Sequence, residues 1–392
     1  MSKKKLGLNT ICTHVGEVKD EQFKGAISPI YMSTSYEFDE VDVKRYPRYF
    51  NTPNQEYLSK KIAALENGET AMIFGSGMAA ISTMFLAFLQ KGDHIVVQNT
   101  LYGGTRNFIK EEFPKYGIEF TFTDGYQVAD FKKAIQLNTK LIHIETPSNP
   151  LLTITDIRKI VQLAKERDII TSIDNTFASP VNQKPLDMGI DLVMHSATKY
   201  LGGHSDILAG AVVGSNEHME KVWHVAKNLG GSLSDMMVWM LERSIKTLGL
   251  RVKAQNKNAM KLARFLSDLD EVAAVHYPGL ETHPEHEIAA SQMSGFGGMM
   301  SFELDVSLDA MKFQKSLKLI KSSMSLAGVE STMLSPHMTS HALLSQEERD
   351  EQGISNGLIR FSVGIESAKD LKNDILQALQ SVKSHQTKVL AN

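Results

Sequence analysis

From Thr70 to Thr198 the chain repeats one pattern: a short apolar run, a turn of small polar residues, then a stretch with helical spacing. The apolar runs at 70–74, 93–97, 118–123, 141–145, 169–174 and 191–198 read as strands, and 102–116, 128–135 and 155–167 as helices. Strands separated by helices return in the same direction. The pattern therefore predicts an α/β fold with a mostly parallel sheet, helices on both faces and a ligand crevice beyond the strands' carboxyl ends.

Polar residues gather where those ends fall. Asn149 lies just past one strand, in Glu145 Thr146 Pro147 Ser148 Asn149 Pro150; Asp174 closes the next; Lys199 follows Ser196 Ala197 Thr198 after the third. A lone lysine on a loop is ordinarily a solvated surface residue. Three polar groups at the ends of successive strands ask for more. An amine beside hydroxyls able to bind phosphate suggests covalent capture of an aldehyde. After the first strand, Gly75 Ser76 Gly77 Met78 turns into good helix formers, and the free amides and dipole of a new helix attract phosphate. Arg360 interrupts the apolar strand 358–364, where it either faces water or clamps a carboxylate.

The remaining chain divides into a Ser-, Thr-, Tyr- and Pro-rich arm over residues 1–60, a domain over 61–245 and a smaller α/β domain over 246–392. A helix is expected from near Gln55. Lys184 to Asp187 reads as a turn, 205–214 as a loop leading into a further strand, and 235–269 as helical with a break near Gly249. Strands at 272–277, 297–305 and 358–364, with helices at 308–321 and 368–385, make up the last domain. A formal charge of −3 and pI near 6.5 leave no basic footprint for nucleic acid, and no apolar run spans a bilayer. The single cysteine, Cys12, excludes internal disulfides and cysteine-based metal clusters, so a reducing, cytoplasmic location is expected and no metal site.

With these residues in place the chain resembles the trans-sulfuration, or Cys/Met-metabolism, family of pyridoxal-phosphate enzymes. The most specific part is Asp191 Leu192, then Ser196 Ala197 Thr198 Lys199 Tyr200 Leu201, then Gly203 His204 Ser205. The resemblance implies the aspartate-aminotransferase-like fold type I, with a seven-stranded sheet, and pyridoxal 5'-phosphate held covalently on Lys199, whose amine then shuttles protons. It implies that Asp174 pairs with the ring nitrogen, that Tyr102 is catalytic, stacking on the ring and assisting the leaving group, and that Asn149 meets the ring hydroxyl. Ser76, Gly77, Met78, Thr176, Ser196 and Thr198 join the cofactor site, and Ser325, Arg360 and Asn149 the substrate site. Tyr46 and Arg48 resemble a Tyr-x-Arg pair that reaches the phosphate of the neighbouring subunit, so a homo-oligomer, a tetramer built as a dimer of dimers, is implied.

The substrate would then be a sulfur amino acid, and the activity β- or γ-elimination on a cystathionine-like molecule. Alternatives are γ-replacement by a cystathionine γ-synthase or O-acylhomoserine sulfhydrylase, methionine γ-lyase chemistry, or transamination. Several positions depart from the family's pattern. Arg45 stands where γ-carbon enzymes carry a glutamate and would repel a distal ammonium. Gly104 replaces the cysteine of methionine γ-lyases, Ala327 a glycine in Ser325 Leu326 Ala327 Gly328, and Val329 an aromatic residue found in β-lyases. Asn51 Thr52 Pro53 replaces an Asn-Pro-Thr.

Overall fold

In the computed structural model, which describes residues 6–339 and 346–389, the alternating pattern becomes one twisted sheet. Its strands are β1 (Thr70–Phe74), β2 (His94–Val97), β3 (Glu119–Phe122), β4 (Thr139–Glu145), β5 (Ile170–Asp174), β6 (Leu192–His195) and β7 (Gly210–Gly214). They lie in the order β1-β7-β6-β5-β4-β2-β3. The five from β2 to β6 run parallel, as the crossover argument requires, and β7 lies antiparallel between β6 and β1.

Helices cover both faces. α1 (Leu8–His14), α2 (Pro53–Glu66), α3 (Gly77–Phe88), α4 (Gly103–Tyr116), α5 (Val128–Ala134), α6 (Ile157–Lys165) and α7 (Ser179–Asn182) precede β6. α8 (Asn216–Leu229), α9 (Asp235–Ile245) and α10 (Leu248–Ser267) follow β7. Two apolar clusters sit on opposite sides of the sheet. One gathers Leu58, Ile144, Ile173 and Val193, the other Phe74, Phe85, Val97 and Met194. The buried strands are apolar on both faces because both are covered.

A second, five-stranded sheet has the order β10-β11-β12-β9-β8, from β8 (Val272–His276), β9 (Met299–Leu304), β10 (Lys321–Ser322), β11 (Thr332–Leu334) and β12 (Leu358–Ser362). The described helices here are α11 (His286–Gln292), α12 (Ala310–Ser316), α13 (Gln346–Glu351) and α14 (Ala368–Val389).

Several expectations are corrected. The strand expected over 191–198 ends at His195, because the Lys199 N–H turns back to Ser196 O and Thr198 bonds to Ala209. The stretch 205–214, expected as loop, contains β7 itself. The break expected near Gly249 falls at Lys246–Thr247, leaving Gly249 inside α10, and the helix expected over 308–321 stops at Ser316. The irregular arm contains α1, and α2 starts at Pro53, where Thr52 caps it through Gln55. Lys184–Asp187 reads as a turn but leads into a 3-10 helix over Pro185–Met188.

Candidate active site

Lys199 sits on a tight turn past the carboxyl end of β6. Gly202 N–H bonds to Ala197 O at 2.8 Å and Gly203 N–H to Lys199 O at 2.7 Å. Behind this turn the buried Arg251 donates to Tyr200 O at 2.9 Å and to Ser244 O at 3.0 Å. The Lys199 Nζ donates to Ser325 Oγ at 2.6 Å. Burial, with the Arg360 charge adding to it and Asp174 opposing it, brings the amine down to about 8 from its ordinary value near 10.5. A substantial neutral fraction, the nucleophilic form, is thus present near pH 8.

Asp174 closes β5 beside Glu145, which closes β4, and the two are register partners in the parallel ladder. Both are buried. Burial raises the Asp174 carboxyl, while the amide of Thr176, 2.9 Å from Oδ1, and the Thr176 side chain lower it. The Thr176 hydroxyl also accepts from Ser196 N–H, tying the ends of β5 and β6 together. A cationic ring nitrogen placed at Asp174 would restore the carboxylate that burial disfavours.

Arg360 enters from β12. Its Nη1 donates to Asn149 Oδ1 at 3.1 Å and its Nη2 to Ser325 O at 3.0 Å. No carboxylate of the described residues lies within ion-pair distance; Glu145 acts on it only at longer range. Burial accordingly brings the guanidinium down to about 10. A buried cation held by neutral acceptors is an anion site awaiting its anion.

The start of α3 faces the same crevice. Ser76 caps the helix by accepting from Ala79 N–H, which leaves the Gly77 and Met78 amides at the helix mouth. Gly77 packs so closely on Ser196 that a Cβ there would lie 2.8 Å from the serine Cβ. The Thr198 hydroxyl is already engaged, donating to Ala209 O and accepting from Ala209 N–H. Tyr102, half exposed, caps α4, and its ring lies over Gly104, where an added Cβ would meet Tyr102 Cε1 at 2.5 Å. A free helix N-terminus, a lowered amine, a buried acid and an unpaired arginine at one sheet edge form a donor set that fits pyridoxal phosphate.

Lys199, Ser325, Asn149 and Arg360 are joined by hydrogen bonds, and Asp174, Thr176 and Ser196 adjoin them on the same sheet edge. Tyr46 and Arg48 are not part of this cluster. Arg48 lies over the rings of Tyr46 and Tyr49 and donates to Lys227 O on α8. Three groups with a place here were missed from the sequence: Glu145, Arg251, and the buried pair of His195 Nε2 and Glu66 Oε1 at 2.5 Å, which also receives the Asn175 amide. His195 directly precedes Ser196 and Glu145 opens the Asn149 segment, so adjacency to the motif was the available signal; Arg251 had none.

A family model described as Cys/Met metabolism PLP-dependent enzyme matches residues 9–380. The chain is 43% identical over 377 residues to a cystathionine gamma-lyase of Bacillus subtilis (strain 168), covering 95% of this chain and 99% of that one. It is 41% identical over 387 residues to a cystathionine beta-lyase of the same organism, covering 97% and 98%. Among solved structures, a cystathionine gamma-lyase from Lactobacillus plantarum complexed with L-serine superposes with a TM-score of 0.93 at 38% identity, covering 96% of this chain and all of that one. The fold is thus the pyridoxal-phosphate fold type I, and the chain belongs to the Cys/Met metabolism family of pyridoxal-phosphate-dependent enzymes.

Proposed function

We propose that the enzyme is a carbon-sulfur lyase that cleaves a cystathionine-like amino acid by β- or γ-elimination. The observation that carries this reading is the Lys199 amine bonded to Ser325 Oγ while the unpaired Arg360 bonds the same residue's carbonyl, with Asp174 closing the neighbouring strand. Arg360 and Asn149 bind the substrate α-carboxylate, a task suited to a planar guanidinium with a preset neighbour. Lys199, with a substantial neutral fraction because its pKa is lowered to about 8, takes the proton from the substrate's α-carbon and returns it further along the chain. When bound, pyridoxal phosphate supplies the electron sink that makes that proton removable. Asp174 would hold the charge on the ring nitrogen, and the amides of Gly77 and Met78 with the Ser196 hydroxyl would hold the phosphate.

Relatives named for lyases on either side of the sulfur support elimination; a relative named cystathionine gamma-synthase, from Arabidopsis thaliana, at 40% identity keeps γ-replacement as the second reading. Arg45 is less repulsive than its charge suggests, because it pairs with Glu56 at 2.9 Å and donates to Asn51 O.

We further propose a homotetramer, a dimer of dimers, in which Tyr46 and Arg48 complete the neighbouring subunit's phosphate site. The arm supports this: Phe23, Met32 and Phe38 lie exposed along it. No helix of the described residues is long and apolar enough to cross a membrane. A cytoplasmic location is proposed from the single buried cysteine.

Incubating the purified protein with cystathionine and measuring pyruvate, 2-oxobutanoate and thiol tests the reading. Pyruvate marks β-elimination and 2-oxobutanoate γ-elimination. No keto acid, with cystathionine made instead from an O-acylhomoserine and cysteine, would replace elimination by γ-replacement.

A further inference from the structure

Glu145 is buried, yet it lies among the groups that line the cofactor crevice. Its Oε2 accepts the backbone N–H of Tyr102 at 2.8 Å. Its own main chain is bracketed by Gln98, which donates to Glu145 O at 2.8 Å and accepts Glu145 N–H. Asp174 is its register partner across the ladder. One side chain thus ties Tyr102, just before α4, to the end of β4, the strand that leads to the Asn149 accepting from Arg360.

We infer that Glu145 is a positioning residue: it fixes Tyr102 against the cofactor by accepting its backbone N–H, and it does so without needing its charge. The reach of the side chain is what matters. The partner is an N–H donor, and a neutral carbonyl oxygen accepts from it as a carboxylate oxygen does. A charge at this depth would face Asp174 as a like-signed neighbour, and burial together with Asp174 pushes the Glu145 carboxyl well above the usual carboxylate range, while the Tyr102 amide and Arg360 pull the other way. The groups facing it are Asp174 on β5, Tyr102 just before α4 and Arg360 on β12, and Arg360 is the only cation among them.

The inference rests on the proposed placement of Tyr102 beside the ring, and two variants separate reach from charge. Glu145→Gln keeps the length and removes the charge; Glu145→Asp keeps the charge and is one methylene too short for the Tyr102 amide. The readout is the visible circular dichroism of the cofactor bound to the holoenzyme without substrate, followed by kcat and KM. Glu145→Gln should retain the native band and turnover within about threefold, whereas Glu145→Asp should halve the band and lower kcat by roughly 10- to 100-fold, the loss expected of a misplacement near 1 Å. Melting temperatures and cofactor content report whether each variant is folded and loaded. A native-like Glu145→Asp, or a Glu145→Gln that loses the band, overturns the inference. A wild-type protein that binds cofactor but turns over no sulfur amino acid would instead overturn the proposed activity, leaving the spectroscopic comparison valid.

Discussion

At Lys199 two opposing neighbours and a lack of water set the charge. Its pKa near 8 means that the rate of cofactor attachment to the unloaded protein should climb with pH up to about 8 and then level, where an unperturbed lysine would still be climbing toward 10.4. Absorbance-monitored reconstitution across pH 6–10 measures this. Lys199→Ala should lower turnover by 10²–10⁴-fold or more, on the order of the loss of one acid–base group. Arg360→Lys loses the bidentate geometry. KM for the amino acid should rise about 10- to 100-fold, the equivalent of one hydrogen bond to a charged group, with kcat changing less. Ala327 shows how a departure from the family pattern is absorbed: it sits at φ 64, in the left-handed region that a glycine enters freely, at a cost of about 1–2 kcal/mol to an alanine.

At the level of elements, the turn after β6 depends on α10. Arg251 is buried without a carboxylate and spends its donors on Tyr200 O, Leu201 O and Ser244 O. Arg251→Met should destabilise the protein by about 3 kcal/mol, since it strands buried carbonyls, and should speed cofactor loss in proportion. Urea midpoints and the half-life of the bound cofactor check both. The parallel strands were legible in the sequence because each is a local apolar run closed by turn residues, and Asn149, Asp174 and Lys199 were legible because they follow those runs directly. β7 was not, because Gly210–Gly214 is bounded by glycines and gains its strand character from β6 and β1 on either side. α8 went unread although Met219, Val222 and Ala226 give it a buried face and Ser215 caps it. Arg251 acquires its role only from tertiary neighbours, which no local pattern announces.

Across the whole molecule, histidines sealed away from solvent set the acid limit. Burial holds His143 at about 3 and His283 at about 4. Both are neutral when folded, whereas the unfolded chain binds their protons below about 6.5, so stability should fall as pH drops from 6.5 toward 4. Urea midpoints at pH 8, 6 and 5 test the sign, and His283→Asn should flatten the slope. If the arm completes a neighbour's site, Arg48→Ala and Lys199→Ala proteins, each inactive alone, should regain activity when their subunits are mixed and allowed to exchange; no recovery would confine each site to one subunit.

The antiparallel β7 has a consequence for the order of assembly. The helix mouth at Ser76–Met78 follows β1 and the lysine turn follows β6, and these strands become near neighbours only once Gly210–Gly214 has zipped between them. A growing polypeptide therefore carries the Ser76–Met78 half of the cradle long before it can use it, and the yellow colour of the bound vitamin would appear only after β7 has been made and paired.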